Sequence, residues 1–313
     1  MNLKPQTLIT ILGPTATGKT ALAAGLASVI NGEVISADSR QVYRGMDIGT
    51  GKDYDDYKVG GITIPFHLID IAEPGYEYNI FEYQKDFHRV YDDITGRGKT
   101  PVLCGGSGMY LEAVLKGYQL IKASVDIELQ AALEQLTNEQ LIGLLKSYKP
   151  LHNKTDIEDR QRILKALLIS RNVMPDEETR KVKKYPVVNS LIFGISLPRE
   201  LVKARITERL KNRLETGMIA EVEKLLAGGI SPERLIQYGL EYKFITLYLT
   251  GKTSYAELFE NLNIAIRQFA KRQMTWFRRM ERQGFTIHWI DGRLPVKQKI
   301  EIILHSTGIS ERN

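Results

Sequence analysis

The chain has 313 residues, of which 43% are hydrophobic, so it can bury the core of one large domain or of two modest ones. Its net charge of +6 is compatible with an anionic partner such as nucleic acid, although many soluble enzymes carry a similar charge. The single cysteine, Cys104, excludes a disulfide framework within the chain and a zinc site built from several cysteines. No apolar run reaches about 18 residues and no signal-peptide core is visible, so we expect a cytoplasmic protein without a membrane span.

The first predicted elements are a buried strand at 7–12 and a helix at 21–29, with the motif G-x-x-x-x-G-K-T between them. Its glycines allow the backbone to fold around an anion, and the helix N-terminus favours negative charge. Lys19 adds a point charge, and the Thr20 hydroxyl can ligate Mg²⁺. A glycine-rich turn without a ligand is the alternative, but the complete spacing and flanks favour a phosphate-binding loop. The loop consists of Gly13, Pro14, Thr15, Ala16, Thr17, Gly18, Lys19 and Thr20.

A second short strand is predicted at 33–39, and it runs out into polar residues around Asp38. The carboxyl ends of parallel strands face one crevice, so we expect Asp38 to lie close to the phosphate loop. This carboxylate could hold Mg²⁺ through water, or it could act as a general base. The third interpretation is an exposed aspartate that caps the following turn.

The rest of the chain alternates strands with helices, except in one segment. Further strands are predicted at 66–71, 100–104, 190–196 and 285–290. Further helices are predicted at 80–94, 109–115, 199–226 with a break at Gly217, and 255–283. Between 121 and 185 the pattern indicates only helices, at 127–136, 138–147 and 157–171. We therefore predict an α/β fold, a parallel sheet around the phosphate loop formed by 1–120 and 186–313, with an inserted all-helical domain at 121–185.

A second glycine-rich turn, Gly105-Gly106-Ser107-Gly108, joins the predicted strand at 100–104 to a helix. It could form another anion-binding site at a helix N-terminus. It could equally be a tight turn whose glycines adopt positive φ. The motif alone does not separate the two.

Basic residues are concentrated in the last long helix. The segment 261–284 has six basic residues and one acidic residue, with Trp276 and Phe277 among them. Such a face could contact a nucleic-acid backbone, with the rings packing or stacking. The alternative is a solvated face over a core stripe of Ile266, Phe269, Met274 and Phe277.

Taken together, several blocks resemble the tRNA dimethylallyltransferases, also called tRNA isopentenyltransferases. The matching blocks are 13–20, 35–50, 67–70, 105–110, 159–167 and 267–278. The phosphate loop is generic, whereas D-S-R-Q-V-Y-R-G-M-D-I-G-T from Asp38 and K-R-Q-M-T-W-F-R from Lys271 are highly specific. One departure is that the family's Gly-Tyr-Lys-Glu run is Glu-Tyr-Lys-Phe here, starting at Glu241.

The resemblance implies transfer of a dimethylallyl group from its diphosphate to N6 of adenine 37 in the tRNA anticodon loop, with Mg²⁺ as cofactor. By resemblance, Lys19, Thr20 and Mg²⁺ bind the diphosphate, and Thr15 lies near its bridging oxygen. Arg209 matches an arginine near the leaving diphosphate, and Asp38 matches the general base. The implied catalytic residues are therefore Thr15, Asp38 and Arg209.

The resemblance also implies that the helical insertion grips the anticodon stem-loop, and we expect a monomer. The implied tRNA-binding residues are Asp38, Ser39, Arg40, Gln41, Ser107, Gln161, Arg162, Ile163, Leu164, Lys165, Lys271, Arg272, Gln273, Trp276 and Arg278. Three other functions stay open: an adenylate isopentenyltransferase, a small-molecule kinase and an inactive RNA-binding relative. The first of these lacks the insertion and the basic helix that this chain has.

Overall fold

The computed structural model describes residues 7–118, 127–148, 160, 163–164, 166–168 and 185–308. The chain divides into two compact units, one formed by 1–117 with 186–313 and the other by 118–185. The predicted helical insertion falls within the second unit. In the ranges described, each helix is too short or too polar to cross a lipid bilayer.

Most of the predicted elements are found with small shifts at their ends, whereas most of the helix predicted at 157–171 lies outside the described residues. The strands are β1 (Leu8–Leu12), β2 (Gly32–Ala37), β3 (Lys58–Val59), β4 (Ile62–Thr63), β5 (Phe66–His67), β6 (Thr100–Gly105), β7 (Ser190–Ser196) and β8 (Ile287–Asp291). The helices are α1 (Lys19–Val29), α2 (Ile80–Gly96), α3 (Gly108–Leu115), α4 (Ile127–Glu134), α5 (Asn138–Tyr148), α6 (Arg199–Glu215), α7 (Met218–Ala227), α8 (Pro232–Gln237), α9 (Leu240–Leu249), α10 (Tyr255–Arg282) and α11 (Val296–Thr307). The strand predicted at 66–71 is wrong beyond His67, because Leu68 and Asp70 adopt left-handed φ values of 63° and 55°.

The sheet of the first unit has six parallel strands in the order β5-β2-β6-β1-β7-β8. Strand β6 lies between β1 and β2, and its last residue, Gly105, pairs with Leu12 on one side and Ala37 on the other. The loops that follow these three strands therefore leave the sheet at the same level and open into one crevice. The predicted α/β fold with a parallel sheet is confirmed.

Both faces of the sheet are covered, as side-chain alternation along β1 requires. Leu8 and Leu12 pack with residues of α2 and α10. Ile9 and Ile11 point to the other face and pack with α1 and α11. A third core joins α6, α7, α9 and the first half of α10, and Leu210 and Leu262 are among its buried residues. This layer of helices fixes the positions of the functional-site residues that follow β7 in the chain.

The second unit has its own core. Leucines of α4 and α5 pack there with Ile163 and Leu164, which are 0% and 3% exposed. The Arg160 guanidinium donates hydrogen bonds to the carbonyl oxygens of Glu134 and Leu136, at 2.8 Å each. Ile163 and Leu164 were predicted to contact RNA, and their side chains are buried in this core.

Candidate functional site

The phosphate loop turns sharply between β1 and α1. Gly13 and Gly18 have φ of 156° and 78°, and Ala16 between them has φ of 64°. A Cβ atom on Gly13 would lie 2.8 Å from the carbonyl oxygen of Ile195 on β7, so the site also requires a small residue. No side chain caps the start of α1. The amides of its first turn have no partner within the helix and remain available to an anion.

Internal hydrogen bonds hold this loop. The Lys19 ammonium donates to the Pro14 carbonyl at 2.7 Å, and the Thr17 hydroxyl donates to the same oxygen at 2.8 Å. Burial of the ammonium, together with the nearby charge of Arg209, lowers the pKa of Lys19 to about 8. Burial therefore destabilises the charged form of Lys19, and a bound anion stabilises that form.

Asp38 follows β2 directly and lines the same cavity as Lys19. Its Oδ1 accepts a hydrogen bond from the Arg40 amide at 2.9 Å. The turn-capping contact is therefore present, and it fixes the direction of the carboxylate rather than removing it from the cavity. The structure brings Asp38 and the phosphate loop together, and both chemical interpretations of the carboxylate require that placement.

Two arginines of α6 line the same cavity as the phosphate loop. The Arg209 guanidinium donates to the Thr15 hydroxyl, and Arg213 donates to the Asp53 carboxylate at 2.9 and 3.1 Å. Burial lowers the pKa of Arg209 to about 10, and the neighbouring charge of Arg213 adds to that effect. A cation that is poorly solvated and close to a second cation is stabilised by an anion between them.

Glu241 shares the cavity with these arginines. Burial raises the pKa of its carboxyl group, although the charges of Arg209, Arg213 and Arg40 act in the opposite direction. This chain has glutamate where the family has glycine, and the glutamate places an acidic group beside Arg209 and Arg213.

Gln273 of α10 joins two of the loops. Its Oε1 accepts from the Thr15 amide and its Nε2 donates to the Gly106 carbonyl, each at 2.9 Å. The side chain is only 8% exposed. Gln273 was predicted to contact RNA, and its hydrogen bonds to the two loops were not predicted. The available signal was a glutamine at a core-facing position of an amphipathic helix, between Ala270 and Phe277.

The glycines of the second turn are explained by the close approach of β2 and of α10. A Cβ atom on Gly105 would lie 2.2 Å from the Ala37 carbonyl oxygen, and on Gly106 2.4 Å from Gln273 Nε2. On Gly108 it would lie 2.2 Å from the Trp276 ring. None of these three glycines has positive φ, so the alternative of a turn with positive-φ glycines is wrong. Ser107 between them accepts a hydrogen bond from the Ser39 amide at 3.1 Å.

We expect Gly108→Ala to destabilise the protein, because the added methyl group has to displace the Trp276 ring. Overpacking of this kind costs about 1–3 kcal/mol, which thermal unfolding detects as a lower Tm. Gly96→Ala is the matched control, since nothing lies within 4 Å of a Cβ atom there. An equal Tm for the two variants would contradict the close contact between α3 and α10.

A cation also packs against the Trp276 ring. The Arg279 guanidinium lies 3.9 Å from the Trp276 ring centre and donates to Glu112 Oε2 at 2.6 Å. Glu112 is fully buried, so this is an ion pair that fixes the arginine over the ring. The alternative interpretation of the basic helix placed Phe269 in a core stripe, and this is wrong for Phe269, which is 39% exposed and lines the cavity.

These elements enclose a cavity of about 700 Å³. The sequence-predicted site residues that line it are Thr15, Ala16, Gly18, Lys19, Thr20, Asp38, Ser39, Arg40, Gln41, Ser107, Arg209, Arg272, Gln273 and Trp276. Gly13, Pro14 and Thr17 are buried parts of the loop that do not line the cavity. Lys271 and Arg278 are exposed on α10. Gln161, Arg162 and Lys165 lie outside the described residues.

Other lining residues were not predicted. They include Asp53, Asp56, Tyr57, Met109, Arg213, Glu241, Lys243 and Phe269. Most come from the turns after β2 or from the helical layer after β7. Their approach to the phosphate loop depends on tertiary packing, which has no local sequence signal.

Comparison with known proteins gives consistent matches. The IPP transferase family model matches residues 41–280, and the Isopentenyl transferase model matches 6–63. The chain is 57% identical to tRNA dimethylallyltransferase 1 of Parabacteroides distasonis, over 95% of this chain and 96% of that protein. It is 55% identical to tRNA dimethylallyltransferase 2 of Bacteroides fragilis, over 97% and 98% of the two chains.

Solved structures agree in fold. A tRNA isopentenylpyrophosphate transferase from Bacillus halodurans superposes with a TM-score of 0.69 at 32% identity, covering 97% of this chain and 96% of that one. A eukaryotic dimethylallyltransferase acting on tRNA has a TM-score of 0.77 at 23% identity, covering 98% and 81%. The second likeness shows the fold alone.

Proposed function

The chain belongs to the IPP transferase family, and we propose that it transfers a dimethylallyl group from dimethylallyl diphosphate to N6 of adenine 37 in the anticodon loop of tRNA. One observation carries the proposal: the phosphate loop, the Asp38 carboxylate and the Arg209–Thr15 pair line a single cavity. That arrangement combines a diphosphate site with a proton acceptor, which a prenyl transfer to an amine requires.

The leaving group is stabilised by the cationic side of the cavity. When the bond between the allylic carbon and the bridging oxygen breaks, its electron pair stays on the diphosphate. Loop amides, Lys19 and Arg209 stabilise the charge that develops, because they are already in place before reaction. Thr15, held by Arg209 and by Gln273, faces the bridging oxygen in this proposal.

The nucleophile is the exocyclic amine of adenine, which is weak and has to lose a proton. As the new nitrogen–carbon bond forms, the amine proton passes to Asp38, whose direction is fixed by the Arg40 amide. The adenine has to flip out of the anticodon loop to enter the cavity. An unpaired loop adenine does so at lower free-energy cost than a paired one. Trp276 and Phe269 at the cavity wall offer aromatic surface to it.

RNA binding is assigned to exposed basic residues. Lys271, Arg272 and Arg278 lie on the solvent side of α10, where they can contact phosphates. The second unit is proposed to hold the anticodon stem-loop. We further propose a cytoplasmic monomer.

Magnesium fits the donor set of the cavity. The Thr20 hydroxyl lies at the start of α1, and no cluster of three metal-ligating residues occurs among those described. Mg²⁺ commonly takes one or two protein oxygens together with substrate phosphates and water. Thr20 would hold it, with Asp38 available through water. When bound, the ion neutralises diphosphate charge.

Ionisation of Lys19 predicts a pH dependence of substrate use. Its lowered pKa, about 8, means that the ammonium of the free enzyme is neutralised as pH rises through that value. Diphosphate attraction is then lost, so kcat/KM for dimethylallyl diphosphate should fall above pH 8. Lys19→Arg keeps its charge over this range and should remove the descending limb. A limb that persists in Lys19→Arg would assign the ionisation to another group.

The proposed function is tested by incubating the protein with radiolabelled dimethylallyl diphosphate, Mg²⁺ and either unmodified tRNA or AMP. Label should appear in tRNA, and nuclease digestion followed by mass spectrometry should place it on adenine 37. Label in AMP alone would instead indicate an adenylate isopentenyltransferase. Retained RNA binding without any transfer would indicate an inactive relative.

A further inference from the structure

One carboxylate in the helical layer is bound by an unusual number of donors. Glu221 on α7 accepts hydrogen bonds from three consecutive backbone amides: Asp47 at 2.8 Å, Ile48 at 2.7 Å and Gly49 at 3.0 Å. The Tyr242 hydroxyl donates a fourth bond at 2.6 Å. Successive amides that converge on one point form an anion-binding nest. Here the nest is filled by the protein's own side chain.

The segment held in this way carries part of the cavity wall. Gly49, Thr50, Gly51 and Asp53 all line the cavity. The Gly51 carbonyl accepts a hydrogen bond from Gln41 Nε2 at 3.0 Å. We call residues 47–53 the wall segment.

The wall segment also supports Arg213. A Cβ atom on Gly51 would lie 2.8 Å from Arg213 Nη2, so the guanidinium packs directly on that backbone. The Asp53 carboxylate binds the same nitrogen at 2.9 and 3.1 Å. The position of Arg213 is therefore determined by where the wall segment lies.

We propose that Glu221 is a positioning residue for the diphosphate site: by holding the amides of 47–49, it places the wall segment so that Arg213 faces the diphosphate. The inference rests on the proposed function, and no part of it requires Glu221 to touch substrate. A carboxylate has two acceptor oxygens and no donor, whereas a glutamine would turn its NH₂ group toward backbone N–H groups. Binding of the three amides therefore requires a glutamate carboxylate at position 221 and not a glutamine amide.

The test is Glu221→Gln, with Glu223→Gln as the matched control, because Glu223 lies on the same helix and is exposed. Losing charge-assisted bonds at this site should raise KM for dimethylallyl diphosphate about tenfold, with a smaller change in kcat. The Kd for inorganic diphosphate with Mg²⁺, measured by calorimetry, should rise by a similar factor. The control should match the wild type in both.

A double variant distinguishes an effect of Glu221 through Arg213 from a general effect of Glu221 on the structure. If Glu221 acts through Arg213, then Glu221→Gln/Arg213→Ala should bind diphosphate no more weakly than Arg213→Ala alone. Losses that multiply, or an unchanged Kd in Glu221→Gln, would overturn the proposal. If Glu221→Gln does not fold, Tyr242→Phe, which removes one of the four bonds, should raise the Kd in the same direction by less. Because diphosphate binding is measured without transfer, a failure of the proposed function leaves this test intact.

Discussion

Asp38→Ala is expected to lower kcat by about 10³-fold, within the range usually lost with a general base. The carboxylate follows β2 and lines the cavity beside the phosphate loop, and the Arg40 amide directs it. Single-turnover transfer to tRNA measures the chemical step, and filter binding measures tRNA affinity. Affinity should be nearly unchanged, because the remaining contacts to RNA are preserved.

The control for this variant is Asp55→Ala, which removes an exposed carboxylate from the 3₁₀ turn at Tyr54–Tyr57, near the cavity. It should transfer label at the wild-type rate. A large loss of tRNA binding in Asp38→Ala, with kcat preserved, would make Asp38 a positioning group for RNA instead of the proton acceptor.

Arg209→Ala is expected to lower kcat/KM for dimethylallyl diphosphate by about 10²–10³-fold, as removal of a preorganised group facing developing charge does. The guanidinium is bonded to Thr15 and is close to Arg213, so its charge is directed at the diphosphate site. Most of the loss should appear in kcat, since charge on the bridging oxygen develops in the transition state.

Arg205→Ala is the matched control for Arg209→Ala, because Arg205 lies one turn earlier on α6 and is exposed. Its kinetic constants should equal those of the wild type. If Arg209→Ala raised only KM for tRNA and left use of the diphosphate intact, the assignment of this arginine to the leaving group would be wrong.

The fold was largely predictable because its signals are local. The apolar runs at β1 and β7, the helical period of α10 and the phosphate loop each occupy a few consecutive residues. The strand predicted at 66–71 was wrong beyond His67, because left-handed backbone at Leu68 and Asp70 has no signature in apolar residues. The short elements α8, α9, β3 and β4 were not predicted. Prediction from pattern therefore succeeded where hydrophobic period alone decides structure.

The site was predictable only in part. Asp38 and the phosphate loop end neighbouring strands, so sheet topology alone brings them together. The contacts of Gln273 with Thr15 and of Glu221 with Asp47 join residues separated by 258 and 174 positions. Such contacts depend on how helices pack, and a single sequence does not encode them in any short pattern.

In the proposed reaction the phosphate loop holds a prenyl diphosphate and not a nucleoside triphosphate. The most direct measurement is calorimetric titration, with Mg²⁺ and an anticodon stem-loop present, of the slowly reacting analogue of dimethylallyl diphosphate whose bridging oxygen is replaced by sulfur. We predict saturable binding of the analogue, little binding of ATP under the same conditions, and loss of analogue binding in Lys19→Ala. Tight binding of ATP with no binding of the analogue would rule out the proposed prenyl transfer and indicate a kinase.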